Sequence, residues 1–233
     1  MTSWDEIWNA RVLDRTHDDT LAALLAADGF DTGFGNMTTE SWVEFIRSVE
    51  RLLGLEAPAS VYEVGCGAGA FLFDLASRGY RVAGSDRSTT LIGYAREALP
   101  DGRFAVADAA ELPVEEPSDV VVSCGVFLYF PSLDYASTVI RLMTRKATSA
   151  IALLDLPDLA LREKAEAHRR AAMGSNEAYE ARYAGLEHLA YDRNWVVRTL
   201  QSAGLTGVQV ADQWIEGYEN AEFRFNAWGF RRS

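Results

Sequence analysis

The stretch Glu63-Val-Gly-Cys-Gly-Ala-Gly69 decides the fold of this chain. A short apolar run at 61–64 leads into it, and a helical apolar pattern to about Arg78 follows it. Glycine is favoured where the backbone needs a positive φ or where a ligand approaches the backbone closely. The first turn of a helix also presents free N–H groups. The stretch therefore predicts a strand, a ligand-binding glycine loop and a helix, in that order.

Apolar β-branched runs and amphipathic stretches alternate from this loop onward, and they predict alternating strands and helices. The predicted strands are 61–64, 81–85, 104–107, 120–124, 149–154, 208–215 and 223–230, and the predicted helices are 41–53, the one ending near 78, 88–99, 133–145 and 193–203. Short all-apolar strands are typical of a parallel sheet buried on both faces, and the last two strands indicate an antiparallel hairpin. We predict an α/β fold, namely a Rossmann-like, doubly wound, seven-stranded sheet whose last strand is antiparallel.

Two segments fall outside this alternation. Residues 1–40 are predicted to form an N-terminal helical lid, in which Gly33 and Gly35 permit hinge motion, or else a docked arm. Residues 156–192 are predicted to form an insert after strand five that covers the substrate. The ligand-binding domain then comprises residues 41–233.

Composition narrows the classes of function. The chain has 233 residues, and 22 Lys and Arg stand against 34 Asp and Glu, which gives a net charge of −12. This charge disfavours a nucleic-acid partner. Cys66 and Cys124 form no CxxC pair, which indicates a reducing compartment and no cysteine-based metal site. Because residues 1–10 lack a signal-peptide pattern and no long apolar run occurs, we expect a cytoplasmic protein outside the membrane. The sequence does not indicate an oligomeric state.

Carboxylates end the two strands that follow the glycine loop. Asp86 stands 21 residues after Gly65, where a carboxylate can accept hydrogen bonds from ribose hydroxyls. Asp108 ends the next strand, where a side chain and a following N–H can bind an adenine edge. The glycines and Asp86 are compatible with an NAD(P) site or with an S-adenosylmethionine site. Glu63 inside the first strand and Asp108 favour the second.

Taken in order, these motifs make the sequence resemble the class I S-adenosylmethionine-dependent methyltransferases. The matching segments are EVGCGAG at 63–69, GSD at 84–86, ADAAELP at 107–113 and DVVVSCGVFLYF at 119–130. Many relatives carry a Pro-Gly-Gly turn before the fifth strand, where this chain has Arg145-Lys-Ala-Thr-Ser149. The cofactor motifs are intact, so this difference before the fifth strand affects which subfamily the chain resembles and not the predicted cofactor.

The resemblance implies three groups of cofactor contacts, at the methionine part, at the ribose and adenine, and near the sulfonium. They are Gly65, Cys66 and Gly67 for the first group, Asp86, Arg87, Asp108 and Ala109 for the second, and Cys124, Gly125 and Val126 for the third. Glu63 and Gly69 are further cofactor-binding candidates.

Candidate catalytic and substrate residues lie further along the chain. His188 is a candidate base because imidazole titrates near neutrality, although a surface histidine is the alternative. Asp155 ends the fifth strand, at the edge where open α/β sheets bind ligands, although it can equally cap a loop. Tyr129, Tyr183 and Tyr191 are candidate walls of a substrate pocket, or else core residues.

The sequence therefore predicts transfer of a methyl group from S-adenosylmethionine to an O, N or C atom of a small molecule, by in-line displacement. An NAD(P)-dependent oxidoreductase remains an alternative. So does a nucleic-acid methyltransferase, although the segment Cys124-Gly-Val-Phe127 replaces the Asn-Pro-Pro-Tyr-type motif expected of one.

Overall fold

A mixed sheet of seven strands lies at the centre of the protein. The computed structural model describes residues 3–16, 19–30, 36–183 and 185–232, with the side chains of 182 and 183 left aside. The strands are β1 (Ser60–Val64), β2 (Arg81–Asp86), β3 (Arg103–Val106), β4 (Ser118–Cys124), β5 (Ala147–Pro157), β6 (Thr206–Asp212) and β7 (Arg224–Phe230). The helices are α1 (Trp4–Asn9), α2 (Thr20–Leu25), α3 (Thr39–Leu53), α4 (Ala70–Ser77), α5 (Thr89–Ala98), α6 (Leu133–Lys146), α7 (Arg162–Ala172), α8 (Asn176–Tyr183) and α9 (Arg193–Ser202).

The strand order, β3-β2-β1-β4-β5-β7-β6, confirms the predicted fold class. The first five strands pair in parallel, and β7 runs antiparallel to both β5 and β6. The direction of winding reverses between β1 and β4. The loops after these two strands therefore diverge and leave a crevice at the carboxyl edge of the sheet.

Apolar side chains cover both faces of the sheet. Along β5, Ala150, Ala152 and Leu154 join the core cluster beneath α3, α4 and α5, whereas Ile151 and Leu153 join the cluster beneath α6 and α9. Side chains that alternate between two buried faces explain why β5 is apolar from Ala150 to Leu154.

Several predicted boundaries differ from the structure; β6, for example, is Thr206–Asp212 and not 208–215. Helix α3 begins before Ser41 because Thr38 is its N-cap, and the Thr38 N–H donates to the Ser41 hydroxyl oxygen at 3.0 Å. This reciprocal pair is a capping box. Strand β5 extends beyond the predicted 149–154 because it pairs with β4 on one side and with β7 on the other.

The N-terminal segment lies against the start of α5. The Thr90 hydroxyl donates to the Asn9 carbonyl at 2.9 Å, and the Ser88 hydroxyl donates to the Trp8 carbonyl at 3.3 Å. An ion pair joins Arg87 and Asp5 at 2.8 Å. These contacts dock the segment. Hinge motion at Gly33 and Gly35 stays a prediction, since both positions lie outside the described residues.

The insert after β5 leaves the sheet and returns to it at nearly the same point. Asp158 and Tyr191 form an isolated bridge, and the Tyr191 N–H donates to the Pro157 carbonyl at 2.9 Å. The Tyr191 ring is fully buried, and its hydroxyl donates to the Phe127 carbonyl at 2.7 Å. Tyr191 is therefore a core residue, which was the second of the two interpretations of its sequence position, and it does not line the pocket.

We expect Tyr191→Phe to lower the free energy of unfolding by about 1 kcal/mol, because it leaves the Phe127 carbonyl without its buried donor. Chemical denaturation measures the change. Affinity for S-adenosylhomocysteine should stay at the wild-type value. Loss of substrate turnover with unchanged stability would contradict the core assignment.

Candidate active site

A cavity of about 450 Å³ opens at the carboxyl edge of the sheet, within the size range of small-molecule sites. Its glycine-loop end is formed by Asp28, Glu63, Gly65, Gly67 and Asp86, and its β5 end by Tyr129, Asp155, Arg169, His188, Tyr218 and Arg224. Most sequence-predicted site residues line it, namely Glu63, Gly65, Cys66, Gly67, Asp86, Arg87, Ala109, Cys124, Gly125, Val126, Tyr129, Asp155 and His188.

Three predicted site residues, Gly69, Asp108 and Tyr191, are not part of this lining. Gly69 is the N-cap residue of α4. Asp108 caps the turn that follows β3, and Tyr191 lies in the core. Tyr183 ends α8, but its side chain lies outside the described residues.

The glycine loop turns so tightly that side chains are excluded at two positions. Gly65 has a φ of 75°, and a Cβ there would stand 2.3 Å from a methyl of Val126. Gly67 has a φ of 52°, and a Cβ there would stand 2.2 Å from a carboxylate oxygen of Asp28. Since glycine adopts these angles without steric cost, Val126 and Asp28 can pack directly against the loop backbone, which a side chain at either position would prevent.

Asp86 ties the end of β2 to this loop. Its carboxylate accepts the Gly67 N–H at 3.1 Å and the Ser88 N–H at 2.8 Å. Burial raises the pKa of the Asp86 carboxyl, and these backbone donors oppose the rise. The side chain is thereby held at the cavity wall, where it was expected to contact a ribose.

The predicted adenine region contains a residue that the sequence analysis missed. Asp108 accepts hydrogen bonds from the Ala110 N–H at 2.8 Å and from the Tyr135 hydroxyl, and it stands 3.6 Å from the Arg87 guanidinium. Tyr135 and Ala109 line the cavity, whereas Asp108 lies behind them. Burial raises the pKa of the Tyr135 hydroxyl, and Asp108 raises it further. Asp108 therefore orients the side chains of Tyr135 and Arg87, which form this part of the cavity wall.

Buried acids gather at the glycine-loop end. Glu63 is 3% exposed, and its Oε2 has no hydrogen-bond partner among the described residues. Burial raises the pKa of Glu63 well above the usual range, and Asp28 and Asp86 raise it further. Asp28 was missed, because its only sequence signal is a glycine after it, which is typical of a helix end.

Asp155 anchors a buried polar network at the β5 end. Its φ of 62° is costly for a residue other than glycine. Its N–H donates to Asn226 at 2.8 Å, and its carboxylate accepts from Gln213 and Tyr218, each at 3.1 Å. The Arg224 guanidinium stands 4.0 Å from the same carboxylate. The network holds the strained backbone in place.

His188 stands in an aromatic wall of the cavity. Its ring stacks on Trp4 with centroids 5.0 Å apart and meets the edge of Tyr129 at 5.7 Å. Burial, together with the nearby Arg224 and Arg169, lowers the pKa of His188 to about 3. The expectation that His188 titrates near neutrality is therefore wrong, because a buried imidazole beside two guanidinium groups resists a further positive charge.

Part of the chain matches a model of a known protein family. Residues 61–148 match the family model described as a methyltransferase domain. A trans-aconitate 2-methyltransferase of Methylobacterium radiotolerans is 33% identical over 106 residues, which are 45% of this chain and 40% of that protein. One of Variovorax paradoxus is 30% identical over 121 residues, 49% of this chain and 46% of that protein. The chain thus matches less than half the length of these curated relatives.

Solved structures share the fold. The N-methyltransferase NodS of Bradyrhizobium japonicum, bound to S-adenosylhomocysteine, gives a TM-score of 0.64 at 19% identity over 92% of this chain and 97% of that one. Magnesium protoporphyrin IX methyltransferase of Synechocystis, bound to S-adenosylmethionine, gives 0.56 at 18% identity over 83% of this chain and 81% of that one. Residues 61–148 therefore carry a methyltransferase domain, and the fold of the chain is that of the class I S-adenosylmethionine-dependent methyltransferases.

The cavity suits this cofactor on its own evidence. The backbone at Gly65 and Gly67 lines the cavity, and the Glu63 Oε2, which has no hydrogen-bond partner among the described residues, offers a buried acceptor. Asp86 would hold the ribose, and Ala109 and Tyr135 would border the adenine.

In the described part of the chain, no helix is long and apolar enough to cross a membrane.

We expect Asp86→Ala to weaken S-adenosylhomocysteine binding roughly tenfold to a hundredfold, because a carboxylate hydrogen bond to a ligand contributes about 1.5–3 kcal/mol. Isothermal titration calorimetry measures the affinity. Asp101→Ala, on an exposed turn, is the matched control and should leave it unchanged. Tighter binding of NAD(P) than of S-adenosylhomocysteine by the wild type would refute the assignment.

Proposed function

We propose that this protein transfers a methyl group from S-adenosylmethionine to a carboxylate oxygen of a small acidic molecule. The observation that carries the proposal is the pair of guanidinium groups, Arg169 and Arg224, at the β5 end of the cavity. This end lies beside β4 and β5, away from Asp86 and the glycine loop, and it would receive the acceptor.

The two arginines leave an excess of positive charge at the β5 end. Arg224 is 7% exposed, and Asp155 at 4.0 Å is its counter-ion. The Arg169 Nε is buried and has no hydrogen-bond partner among the described residues. A guanidinium presents paired N–H donors that match the two oxygens of a carboxylate. An anionic acceptor would satisfy both the charge and the unpaired donor.

A carboxylate acceptor also fits the absence of a strong base among the described residues of this end. Carboxylic acids have an ordinary pKa near 4, so at neutral pH the nucleophilic oxygen is already ionised. His188, with a pKa of about 3, would be a poor proton acceptor. The Asp155 carboxylate is occupied by Gln213 and Tyr218, which suits an orienting role. Neither residue is then needed as a base.

The chain's contribution to the reaction would be placement and exclusion of water. Bound S-adenosylmethionine supplies an electrophilic methyl group on a sulfonium. Asp86 and the glycine loop would hold the donor, and Arg169 and Arg224 would aim the acceptor oxygen along the line of displacement. Such positioning can contribute roughly 7–11 kcal/mol to lowering a barrier. The aromatic wall of Trp4, Tyr129 and His188 would keep water from the methyl group.

The names of the curated relatives support this class of acceptor. Both are named as methyltransferases of trans-aconitate, the anion of an organic acid. The test is a panel assay with S-adenosylmethionine, in which mass spectrometry detects methyl esters of carboxylic acids, trans-aconitate included. Matched amides, phenols and amines serve as controls. Methylation confined to phenols or amines would refute the proposal.

We expect Arg169→Ala to raise KM for a carboxylate acceptor roughly tenfold to a hundredfold, the loss of one charge-assisted hydrogen bond, with a smaller effect on kcat. Steady-state kinetics measure both constants. Lys164→Ala removes an exposed cation from the same helix and should change neither. Equal KM values for the two variants would contradict a role for Arg169 in acceptor binding.

We expect kcat/KM to show no inflection near pH 6.5 that belongs to His188, because its pKa of about 3 keeps the ring neutral above that value. His188→Gln should keep kcat within about threefold of the wild type, since loss of a general base costs a hundredfold or more. A pH–rate profile of both proteins decides this. A hundredfold loss in the variant would restore His188 as a base.

A further inference from the structure

The hydrogen bonds around Asp155, at the β5 end of the cavity, all run in one direction. The Asp155 N–H donates to the Asn226 side-chain oxygen at 2.8 Å, so the Asn226 amide nitrogen is the group that donates to Gln213 Oε1 at 3.1 Å. The Trp214 N–H donates to the same Gln213 oxygen at 2.9 Å. Two backbone N–H groups thus fix both side-chain amides. Gln213 can therefore only donate to the Asp155 carboxylate, at 3.1 Å.

The other oxygen of the Asp155 carboxylate receives the Tyr218 hydroxyl at 3.1 Å. The Arg224 guanidinium, 4.0 Å from this oxygen, is a positive charge that favours the ionised carboxylate. An ionised carboxylate only accepts hydrogen bonds, so the single proton of the Tyr218 hydroxyl is committed to Asp155. Burial raises the pKa of Tyr218 well above its ordinary value, and Asp155 raises it further, so the phenol keeps this proton.

The turn that carries Tyr218 is held in place by its neighbours. The Asn36 N–H donates to the Gly217 carbonyl at 2.9 Å, and the Tyr218 N–H donates to the Ile215 carbonyl at 3.3 Å. Gly217 has a φ of 75°, and a Cβ there would stand 2.5 Å from the Asn36 carbonyl oxygen. The Tyr218 ring packs against Phe30 with centroids 5.9 Å apart. The phenol is therefore fixed with its proton directed at Asp155.

This arrangement places a hydrogen-bond acceptor beside a cationic donor. Tyr218, Asp155 and Arg224 all line the cavity, and a phenol oxygen that donates its proton still has lone pairs. No N–H or O–H group of the described residues donates to the Tyr218 oxygen. Because the phenol and the guanidinium approach the same carboxylate oxygen, they lie close together. A ligand whose carboxylate pairs with Arg224 would bring its neighbouring carbon near the phenol oxygen.

The surrounding charges select the donor that this carbon can carry. Arg224 balances the charge of Asp155, and Arg169 adds a further positive charge to this end of the cavity. An ammonium donor is therefore disfavoured. A neutral hydroxyl supplies one O–H donor without a charge. An oxo group would instead present a lone pair to the lone pair of the phenol, with no hydrogen between them.

We infer that Tyr218 determines specificity by accepting a hydrogen bond from a hydroxyl on the carbon next to the reacting carboxylate. The inference rests on the proposed function, because the acceptor must be a carboxylate aimed by Arg224. It narrows the substrate class to α-hydroxy acids. The hydroxyl is not the nucleophile and keeps its proton. The carboxylate oxygen takes the methyl group, and S-adenosylhomocysteine leaves.

Three acids of one carbon skeleton test this polarity in the wild type alone. Mandelate has an α-hydroxyl, phenylglyoxylate has an α-oxo group, and phenylacetate has neither; lactate, pyruvate and propionate form a second set. We expect kcat/KM for ester formation to be about threefold to tenfold higher for each hydroxy acid than for its unsubstituted partner, as one neutral hydrogen bond allows. The oxo acid should be the poorest of each set. Mass spectrometry of the methyl esters measures the rates.

The other outcomes of this assay separate the inference from the proposed function. If carboxylates are esterified without a preference for the hydroxy acids, the inference fails and the proposed function stands. A preference for the oxo acids would show that the phenol donates to the ligand, and a preference for phenylglycine over mandelate would show an ammonium site. Either preference overturns the inference. If no carboxylate is esterified, the proposed function fails as well.

A variant tests whether Tyr218 itself carries the preference. Tyr218→Phe removes the hydroxyl and keeps the ring, so the ratio of kcat/KM between mandelate and phenylacetate should fall to about one, mainly because mandelate reacts more slowly. Tyr80→Phe is the matched control. It removes a hydroxyl that donates to the Leu55 carbonyl at 3.3 Å, before β2 at the opposite edge of the sheet, and should keep the wild-type ratio. If Tyr218→Phe slows both acids by the same factor, its role is only structural and the inference is overturned.

Discussion

The loop that leaves β1 is held against the end of β2, and the cavity depends on this contact. The Gly65 and Cys66 N–H groups both donate to the Ser85 carbonyl, at 2.7 and 3.0 Å, and the Gly67 N–H donates to Asp86. These bonds direct the loop across the neighbouring strand before α4 begins. They hold the loop and the carboxylate of Asp86 together at the wall of the cavity.

The two ends of the cavity carry opposite electrostatic character. Carboxylates from three separate segments gather at the glycine-loop end, and guanidinium groups from α7 and β7 stand at the β5 end. Burial raises the pKa of the three acids, so a cationic group of a ligand at the glycine-loop end would favour their ionised forms. A cationic donor and an anionic acceptor would each meet complementary charge, and each would be disfavoured at the wrong end. The same arrangement explains why His188 stays neutral, since it lies on the positive side.

Local pattern was enough to predict the sheet, the glycine loop and Asp86, because each depends on residues close together in sequence. Residues contributed from afar were not accessible in this way. Arg224 and Tyr218 meet Asp155 only because β7 runs antiparallel beside β5, and no local period indicates that contact. The protonation of His188 was misjudged for a related reason, because burial and distant arginines set its pKa. Tyr191 was ambiguous since core and pocket aromatics have the same spacing.

The bridge between Asp158 and Tyr191 holds the two ends of the insert together. The Leu189 N–H also donates to the Leu128 carbonyl at 2.8 Å, so the returning chain is fixed to the loop after β4. Lengthening a loop whose ends are already pinned costs little free energy, since the entropy of closure grows only with the logarithm of its length. The segment carrying α7 and α8 can therefore be exchanged as a cassette. A protein engineer could graft a different recognition module there while the donor-binding half keeps its geometry.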